Sequence, residues 1–245
     1  LMHFRGCSGE PNRLPRAYHS GDTVDIRHVL ALLAQRGQPA AAAVGYSLGG
    51  NALLKFAAEE GQACPLQAVV AVSPALMPKI AAETMARGTS RIYQSYLLRK
   101  LKAGLRAKQR LLHGHVNLPR ALASRTFTEF DDAVTAPLHG FRNADDYYTQ
   151  ASARPLLRQI AVPAWIIASR DDPFFTAKML PEADELGPQV TLELAEHGGH
   201  VGFVGPGGRP WIDSRVVDVV LRVLAATDGV PSNAQSGAAA LRSGE

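Results

Sequence analysis

The stretch Val44-Gly45-Tyr46-Ser47-Leu48-Gly49-Gly50-Asn51 decides the fold of this chain. A short apolar run, Ala40 to Val44, precedes it, and a helix-forming run, Ala52 to Glu60, follows it. A Gly-x-Ser-x-Gly pentapeptide between a strand and a helix is typical of a nucleophile elbow, in which the serine occupies a sharp and strained turn. The stretch therefore predicts a buried strand that turns abruptly into a helix.

The sharpness of the turn explains why glycines flank the serine. Because glycine has no Cβ, we expect Gly45 and Gly49 to relieve collisions across the turn. Ser47 Oγ is then held at the end of a strand, where a general base can reach it. The N-terminus of the following helix, with the Leu48 backbone N–H, favours negative charge on an attacked carbonyl oxygen. We predict Ser47 as a nucleophile and the Leu48 N–H as an oxyanion donor.

The composition is that of an ordinary globular domain. A chain of 245 residues with 46% hydrophobic and 20% charged residues suits one domain of the larger α/β kind. No run approaches the roughly 18 apolar residues of a membrane helix, and no apolar signal-peptide core follows the first five residues. Two cysteines, Cys7 and Cys64, are too few for a disulfide framework, so a cytoplasmic location is expected.

The net charge of +4 is concentrated in one part of the chain. Residues 84–128 contain ten Lys or Arg residues and no Asp or Glu. Such a run is usually a solvated helical face, and the alternative is attraction to an anionic membrane surface or an acidic partner. No recognised nucleic-acid-binding motif accompanies the charge, so nucleic acid is not an expected partner.

Apolar strands alternate with helices on both sides of the elbow. Leu1 to Phe4 is predicted to be the end of a buried strand, and the spacing of Ile26, Val29, Leu30 and Leu33 predicts an amphipathic helix. Further strands are predicted at 67–73, 162–168 and 190–194, with a closing helix at 210–226. This alternation indicates an α/β fold with a mostly parallel sheet that helices cover on both faces.

Residues from about 77 to 148 interrupt the alternation. Their pattern predicts helices, with an apolar side formed by Tyr93, Leu97, Leu98, Leu101 and Leu105. Inserted after the strand that follows the elbow, they are predicted to form a helical cap over the active site. We predict a single domain over residues 1–226 and a disordered tail at 227–245, which is rich in Ser, Gly and Ala.

Two later loops supply partners for Ser47. A serine hydroxyl needs a general base that a carboxylate orients, and after an elbow of this kind the acid precedes the histidine in the chain. Asp171 and Asp172 follow one predicted strand, and His197 and His200 follow the next. Either aspartate can be the orienting acid, the other bracing the turn before Pro173, while the neighbouring glycines favour His200 as the base. His113 and His115 lack further ligands at useful spacing, so no metal is predicted.

At these residues the chain resembles the YheT-like branch of the α/β-hydrolase superfamily, which includes ABHD-type acylglycerol lipases and yeast medium-chain acyl ester synthases/esterases. The matching segments are His3-Phe4-Arg5-Gly6-Cys7-Ser8-Gly9-Glu10-Pro11-Asn12-Arg13, residues 45–51, Asp171-Asp172-Pro173-Phe174 and His197-Gly198-Gly199-His200-Val201-Gly202-Phe203. The resemblance extends from the first residue to about Leu224. It implies the α/β-hydrolase fold, with Ser47 as nucleophile, Asp172 as orienting acid and His200 as base.

The chain departs from that branch at its beginning. Relatives carry a portion before His-Phe-Arg-Gly that contains the first sheet strands and a His-Gly-containing oxyanion loop. These strands, and the second oxyanion donor that normally comes from the loop after the third strand, are therefore expected to be missing. The Leu48 N–H is then the oxyanion donor that the chain itself provides.

Together these observations predict a serine hydrolase that cleaves carboxylic esters through an acyl-enzyme, without a cofactor. The apolar cap favours a lipophilic substrate, such as a short- to medium-chain acyl ester or a monoacylglycerol-like lipid. One alternative is an acyltransferase that uses the same three residues with an alcohol acceptor. Another is an inactive binding module, because the oxyanion-loop segment is absent.

Overall fold

Four parallel strands form the sheet, in the order in which they occur along the chain: β1 (Ala42–Tyr46), β2 (Ala68–Val72), β3 (Ala164–Ser169) and β4 (Val190–Ala195). The computed structural model describes residues 1–204, 208 and 210–227. Every residue of β2 is buried, as expected for a strand of a parallel sheet that is covered on both faces.

Nine helices accompany the strands in the described part of the chain. They are α1 (Val24–Gln35), α2 (Leu48–Glu60), α3 (Pro78–Met85), α4 (Ser90–Ala107), α5 (Leu118–Ala123), α6 (Phe127–Phe130), α7 (Ala136–His139), α8 (Ala144–Ala151) and α9 (Trp211–Thr227). Of the tail predicted to be disordered, residues 228–245 lie outside the described residues. None of the helices described is long and apolar enough to cross a bilayer.

Apolar side chains of two helices cover the two faces of the sheet. On one face, Leu54 and Phe56 of α2 belong to the same buried cluster as Val69 of β2. On the other face, Val216 of α9 lies in a second cluster with Val70 of β2. Burying a leucine, valine or phenylalanine side chain contributes about 1.5–3 kcal/mol, so these clusters hold α2 and α9 firmly against the sheet.

Two glycines of the elbow are required by packing, but Gly49 is not one of them. A Cβ on Gly45 would lie 2.5 Å from the carbonyl oxygen of Gly49, and a Cβ on Gly50 would lie 3.0 Å from the carbonyl oxygen of Gly45. Outside its own helix, a Cβ on Gly49 would meet nothing nearer than the Phe4 ring, at 3.9 Å. The expectation that Gly49 relieves a collision is therefore wrong, whereas Gly45 fits it.

Substituting Gly45 and Gly49 by alanine tests this difference. We expect Gly45→Ala to lower the free energy of unfolding by about 3 kcal/mol, because the methyl group must displace backbone atoms. Gly49→Ala should be neutral or stabilising by up to about 1 kcal/mol, since alanine is the better helix former. Urea denaturation followed by circular dichroism measures both, and equal losses would contradict the packing argument.

The first four residues do not form a strand. Leu1 is fully exposed, and Phe4 stacks on the Tyr18 ring with a centroid distance of 5.1 Å. Within the described residues, β1 pairs with β2 alone, so no neighbouring strand offers this segment the hydrogen bonds of a ladder. The prediction of a strand end at Leu1 to Phe4 is therefore wrong.

The segment between β2 and β3 is predominantly helical and contains α3 to α8. It has a buried cluster of its own, which includes Leu98, Leu105 and Phe130. Tyr93 and Leu97, which the sequence places on the same apolar side as Leu98 and Leu105, are exposed instead. We refer to α3–α8 as the helical insertion.

A buried asparagine joins the helical insertion to the core. The Asn51 side chain is fully buried, and its Nδ2 donates to the carbonyl oxygens of Ser20 and Ala151 at 2.8 Å each. Its Oδ1 accepts a hydrogen bond from the Ala153 N–H at 3.0 Å. One amide thus connects α2, the loop before α1 and the end of α8.

Two histidines form a second contact between the core and the insertion. The His19 ring meets the His139 ring of α7 edge to face, with centroids 4.5 Å apart. Burial lowers the pKa of each imidazole to about 4. Both rings are therefore neutral at pH 7 and resist protonation in the folded state.

These lowered pKa values predict how stability depends on pH. Between the unfolded pKa of 6.5 and about 4, the unfolded chain binds more protons than the folded chain, so the free energy of unfolding falls as the pH is lowered. His139→Gln removes one of these titrations and should lose less stability between pH 7 and about pH 4.5 than the unaltered protein. Urea midpoints at the two pH values measure this. His28→Gln, at an exposed position of α1, serves as the control, and an identical pH response in both variants would contradict the argument.

Candidate active site

Ser47 occupies a strained turn between β1 and α2. Its backbone has φ 51° and ψ −117°, which places a non-glycine residue at positive φ. The Ser47 N–H donates to the Val72 carbonyl oxygen at 2.8 Å, and the Ser47 carbonyl oxygen accepts from the N–H groups of Asn51 and Ala75 at 3.2 and 3.3 Å. These bonds hold the turn against its strain and fix the serine at the carboxyl edge of the sheet.

Three predicted residues meet in a line of hydrogen bonds. His200 Nε2 lies 2.8 Å from Ser47 Oγ, and His200 Nδ1 lies 2.7 Å from Asp172 Oδ2. The Asp172 side chain is only 3% exposed and that of His200 15% exposed. Because β1, β3 and β4 are parallel, the loops after them meet at one edge, and the structure brings these three residues together there.

Asp172 is held in place by the backbone of its own loop, residues 170–175, which we call the acid loop. Its Oδ1 accepts from the Phe174 N–H at 2.8 Å, while its Oδ2 faces the imidazole. A carboxylate oriented in this way fixes the tautomer of the histidine and stabilises its protonated form. The arrangement is suited to a histidine that removes a proton from Ser47.

Two phenylalanines of the acid loop enclose the His200 ring. Phe174 and Phe175 each approach it edge to face, with centroid distances of 4.7 and 4.8 Å. Both rings restrict the rotation of the imidazole, which keeps it aligned with Ser47. The sequence pattern predicts no role for these two residues, although their position directly after Asp172-Pro173 would have pointed to contact with the histidine.

Asp171 braces the loop that carries His200. Its Oδ1 accepts from the N–H groups of Gly198 and Gly199, both at 2.9 Å, and these backbone bonds lower the pKa of the Asp171 carboxyl. Ser169 Oγ donates to the Gly199 carbonyl oxygen at 2.5 Å. The second aspartate therefore braces the histidine loop, residues 196–203, rather than the turn before Pro173.

The glycines of the histidine loop serve packing and backbone geometry. A Cβ on Gly198 would lie 2.4 Å from a carbon of the Phe203 ring, and Gly199 has φ +60°. Phe203 is 2% exposed, and its N–H donates to the Gly198 carbonyl oxygen at 2.8 Å. Phe203 anchors the loop to the core, and the glycines allow the backbone to pass over its ring.

His197 and the two cysteines lie outside this line of hydrogen bonds. The His197 side chain is 90% exposed and lies 3.4 Å from Asp171. Burial raises the pKa of the Cys7 and Cys64 thiols, the opposite of what a nucleophilic thiolate needs. The part of the chain that the structure describes contains no group of three His, Cys, Asp or Glu side chains suited to a metal ion.

The first N–H groups of α2 point out of the helix end beside Ser47. Leu48 is the first residue of α2, and N–H groups in the first turn of a helix have no partner within the helix. The Leu48 N–H is therefore free to donate to an oxyanion formed at a carbonyl attacked by Ser47. The absence of a second donor from the chain stays a prediction.

Asp171 offers a test of loop bracing that is separate from the orienting acid. Asp171→Ala removes the acceptor for two backbone N–H groups, and small displacements of His200 are costly, so turnover of a p-nitrophenyl ester should fall about tenfold. Asp171→Asn retains an oxygen acceptor of weaker strength and should fall less. Glu196→Ala removes an exposed ion pair with Arg170 but no hydrogen bond to the backbone of the histidine loop, so it is the control, and a similar loss in that variant would exclude specific bracing.

Comparison with known proteins agrees with this architecture. The sequence matches the family described as "alpha/beta hydrolase fold" over residues 1–205. It is 46% identical over 224 residues to the putative esterase YheT of Escherichia coli K12, covering 89% of this chain and 66% of that protein. It is 30% identical over 210 residues to mouse phospholipase ABHD3, covering 83% of this chain and 50% of that protein. The chain thus spans between half and two thirds of these relatives.

A solved structure shares the fold at lower sequence identity. An alpha/beta fold family hydrolase from Bacillus anthracis str. Sterne superposes with a TM-score of 0.54 and 17% identity, covering 90% of this chain and 80% of that one. The predicted fold class and the predicted resemblance to the YheT-like and ABHD-type proteins are both confirmed.

Proposed function

The chain belongs to the α/β-hydrolase fold family, and on that premise we propose that it hydrolyses carboxylic esters with Ser47, His200 and Asp172 as its catalytic triad. The observation that carries the proposal is the continuous line of hydrogen bonds, 2.8 Å from Ser47 Oγ to His200 Nε2 and 2.7 Å from His200 Nδ1 to Asp172 Oδ2. The names of the relatives, a putative esterase and a phospholipase, support this class of reaction.

In the proposed first step, Ser47 Oγ attacks the ester carbonyl carbon while His200 Nε2 accepts the hydroxyl proton. The carbonyl oxygen becomes an oxyanion, to which the Leu48 N–H donates a hydrogen bond. Asp172 stabilises the positive imidazolium, which is effective because the carboxylate is almost fully buried. The tetrahedral intermediate collapses to an acyl-enzyme, and His200 returns the proton to the departing alcohol.

In the second step, His200 removes a proton from a water molecule, which attacks the acyl carbon. The intermediate that forms collapses to the free acid, and the proton returns to Ser47 Oγ. Both steps use the same base and the same donor. No cofactor takes part in this mechanism.

We propose a lipophilic acyl group for the substrate, in a short- to medium-chain ester or a monoacylglycerol-like lipid. Aromatic rings lie near the catalytic residues. Phe174 and Phe175 contact His200, and the Phe4 ring lies 3.9 Å from the position that a Cβ on Gly49 would occupy. Such surfaces favour apolar groups over charged ones. The preferred chain length follows from comparing p-nitrophenyl esters of increasing acyl length.

The nucleophile can be identified directly on the 245-residue chain. A fluorophosphonate probe should label Ser47, as peptide mass spectrometry can verify, and the chain should hydrolyse p-nitrophenyl esters. Ser47→Ala should abolish labelling and lower turnover by at least about 10³-fold, because the covalent step is lost. Ser214→Ala, at an exposed serine of α9, should change neither. Wild-type turnover in Ser47→Ala would contradict the assignment of the nucleophile.

The same experiment separates the two alternatives. A folded chain that neither reacts with the probe nor hydrolyses esters would favour an inactive binding module. An acyltransferase would react with the probe, but with an added alcohol its main product would be a new ester rather than the free acid. Product analysis by mass spectrometry therefore distinguishes hydrolysis from acyl transfer.

A further inference from the structure

Helix α4 carries apolar side chains on the face that points away from the protein. Its inner face is buried through Gln94, Leu98 and Leu105, which are spaced i, i+4 and i+11. Ile92 and Tyr96, also four residues apart, lie on the opposite face and are 73% and 49% exposed. Packing within the helical insertion therefore does not explain why apolar residues occupy these two positions.

Basic residues flank this apolar pair. Arg99, Lys100 and Arg106 are exposed on the same side of α4, and the Arg99 and Lys100 cations lie 6.0 and 5.6 Å from the Tyr96 ring centroid. None of the three forms an ion pair with an acidic side chain among the described residues. By contrast, two half-buried arginines outside the insertion are paired, Arg5 with Asp25 and Arg215 with Glu193.

We propose that this docking face, formed by Ile92, Tyr96, Arg99, Lys100 and Arg106, binds the surface of an anionic lipid bilayer. A helix with apolar and aromatic side chains between uncompensated cations lies in the plane of a membrane interface, with the cations at the headgroups. Charge complementarity selects this partner, because three cations without an acidic partner in the described part of the chain lie on this face, within a stretch, 84–128, that holds ten basic residues and no acidic one. A solvated face would not need Ile92 and Tyr96 side by side.

The first turn of α4, at one end of the docking face, lies close to the triad. Ser90 Oγ, in the first turn of α4, donates to the Pro173 carbonyl oxygen at 2.8 Å. Tyr93 meets Phe174 edge to face at 4.9 Å, and Phe174 in turn contacts His200 at 4.7 Å. If the proposed function holds, docking would place the catalytic residues next to a surface that carries lipophilic esters. Binding to the bilayer itself does not depend on catalysis.

Vesicle flotation without substrate tests the proposal. The 245-residue chain should float with vesicles of phosphatidylglycerol and phosphatidylcholine, should not float with phosphatidylcholine alone, and should dissociate as salt screens the charges. Arg99→Gln combined with Lys100→Gln should weaken binding about 25-fold, at about fivefold for each cation removed. Ile92→Ser combined with Tyr96→Ser should weaken it at least about tenfold.

A matched variant controls for the loss of exposed apolar surface. Val217 and Leu221, four residues apart on α9, are 54% and 60% exposed, and Val217→Ser with Leu221→Ser should bind vesicles like the unaltered chain. The proposal is overturned if the unaltered chain does not float with anionic vesicles, if either α4 double variant floats normally, or if the α9 variant loses as much. Circular dichroism verifies folding, and Ser47 labelling in the α4 variants reports the proposed function separately.

Discussion

One backbone hydrogen bond, from the Ser47 N–H to the Val72 carbonyl oxygen at 2.8 Å, is the constraint on which the site depends. It closes the last pair of the β1–β2 ladder, Tyr46 with Val72, at the residue whose φ turns positive. Without this bond, a serine in a loop would relax to a negative φ, and its Oγ would move away from the position that faces His200. Bonded to the inner strand β2, Ser47 stays raised at the edge where the loops after β3 and β4 also arrive.

Two consecutive aspartates, Asp171 and Asp172, act on His200 in different ways. Asp172 is buried and oriented toward the imidazole, so its charge acts on the ring. Asp171 is more exposed and accepts bonds from the backbone of the histidine loop, so it acts on the position of the ring. Because they are consecutive in the chain, their side chains point in different directions. One short loop can therefore control both the electrostatics and the geometry of the base.

Much of this arrangement was predictable from the sequence, because it rests on local patterns and chain order. The apolar runs predicted the four strands, and the residues that follow them predicted the loops of Asp172 and His200. The bracing by Asp171 and the anchoring by Phe203 were not predictable in this way, because each depends on a contact between segments that periodicity does not relate. Leu1 to Phe4 shows the converse, since an apolar segment becomes a strand only beside a partner. On α4, periodicity placed Tyr93 and Leu97 with Leu98, whereas packing buried only the last of these.

Asn51 has a consequence for how the helical insertion can move. Its amide lies one helical turn after Ser47. It bonds the Ser20 carbonyl oxygen in the loop before α1, and it bonds Ala151 and Ala153 where the chain leaves α8. Opening the insertion at that end would leave the Ala151 carbonyl oxygen, the Ala153 N–H and the Asn51 Oδ1 without partners, which is costly. The insertion is therefore anchored at the end that lies beside the nucleophile. A movement that keeps these hydrogen bonds would displace the parts of the insertion farther from Asn51 and leave the turn that carries Ser47 in place.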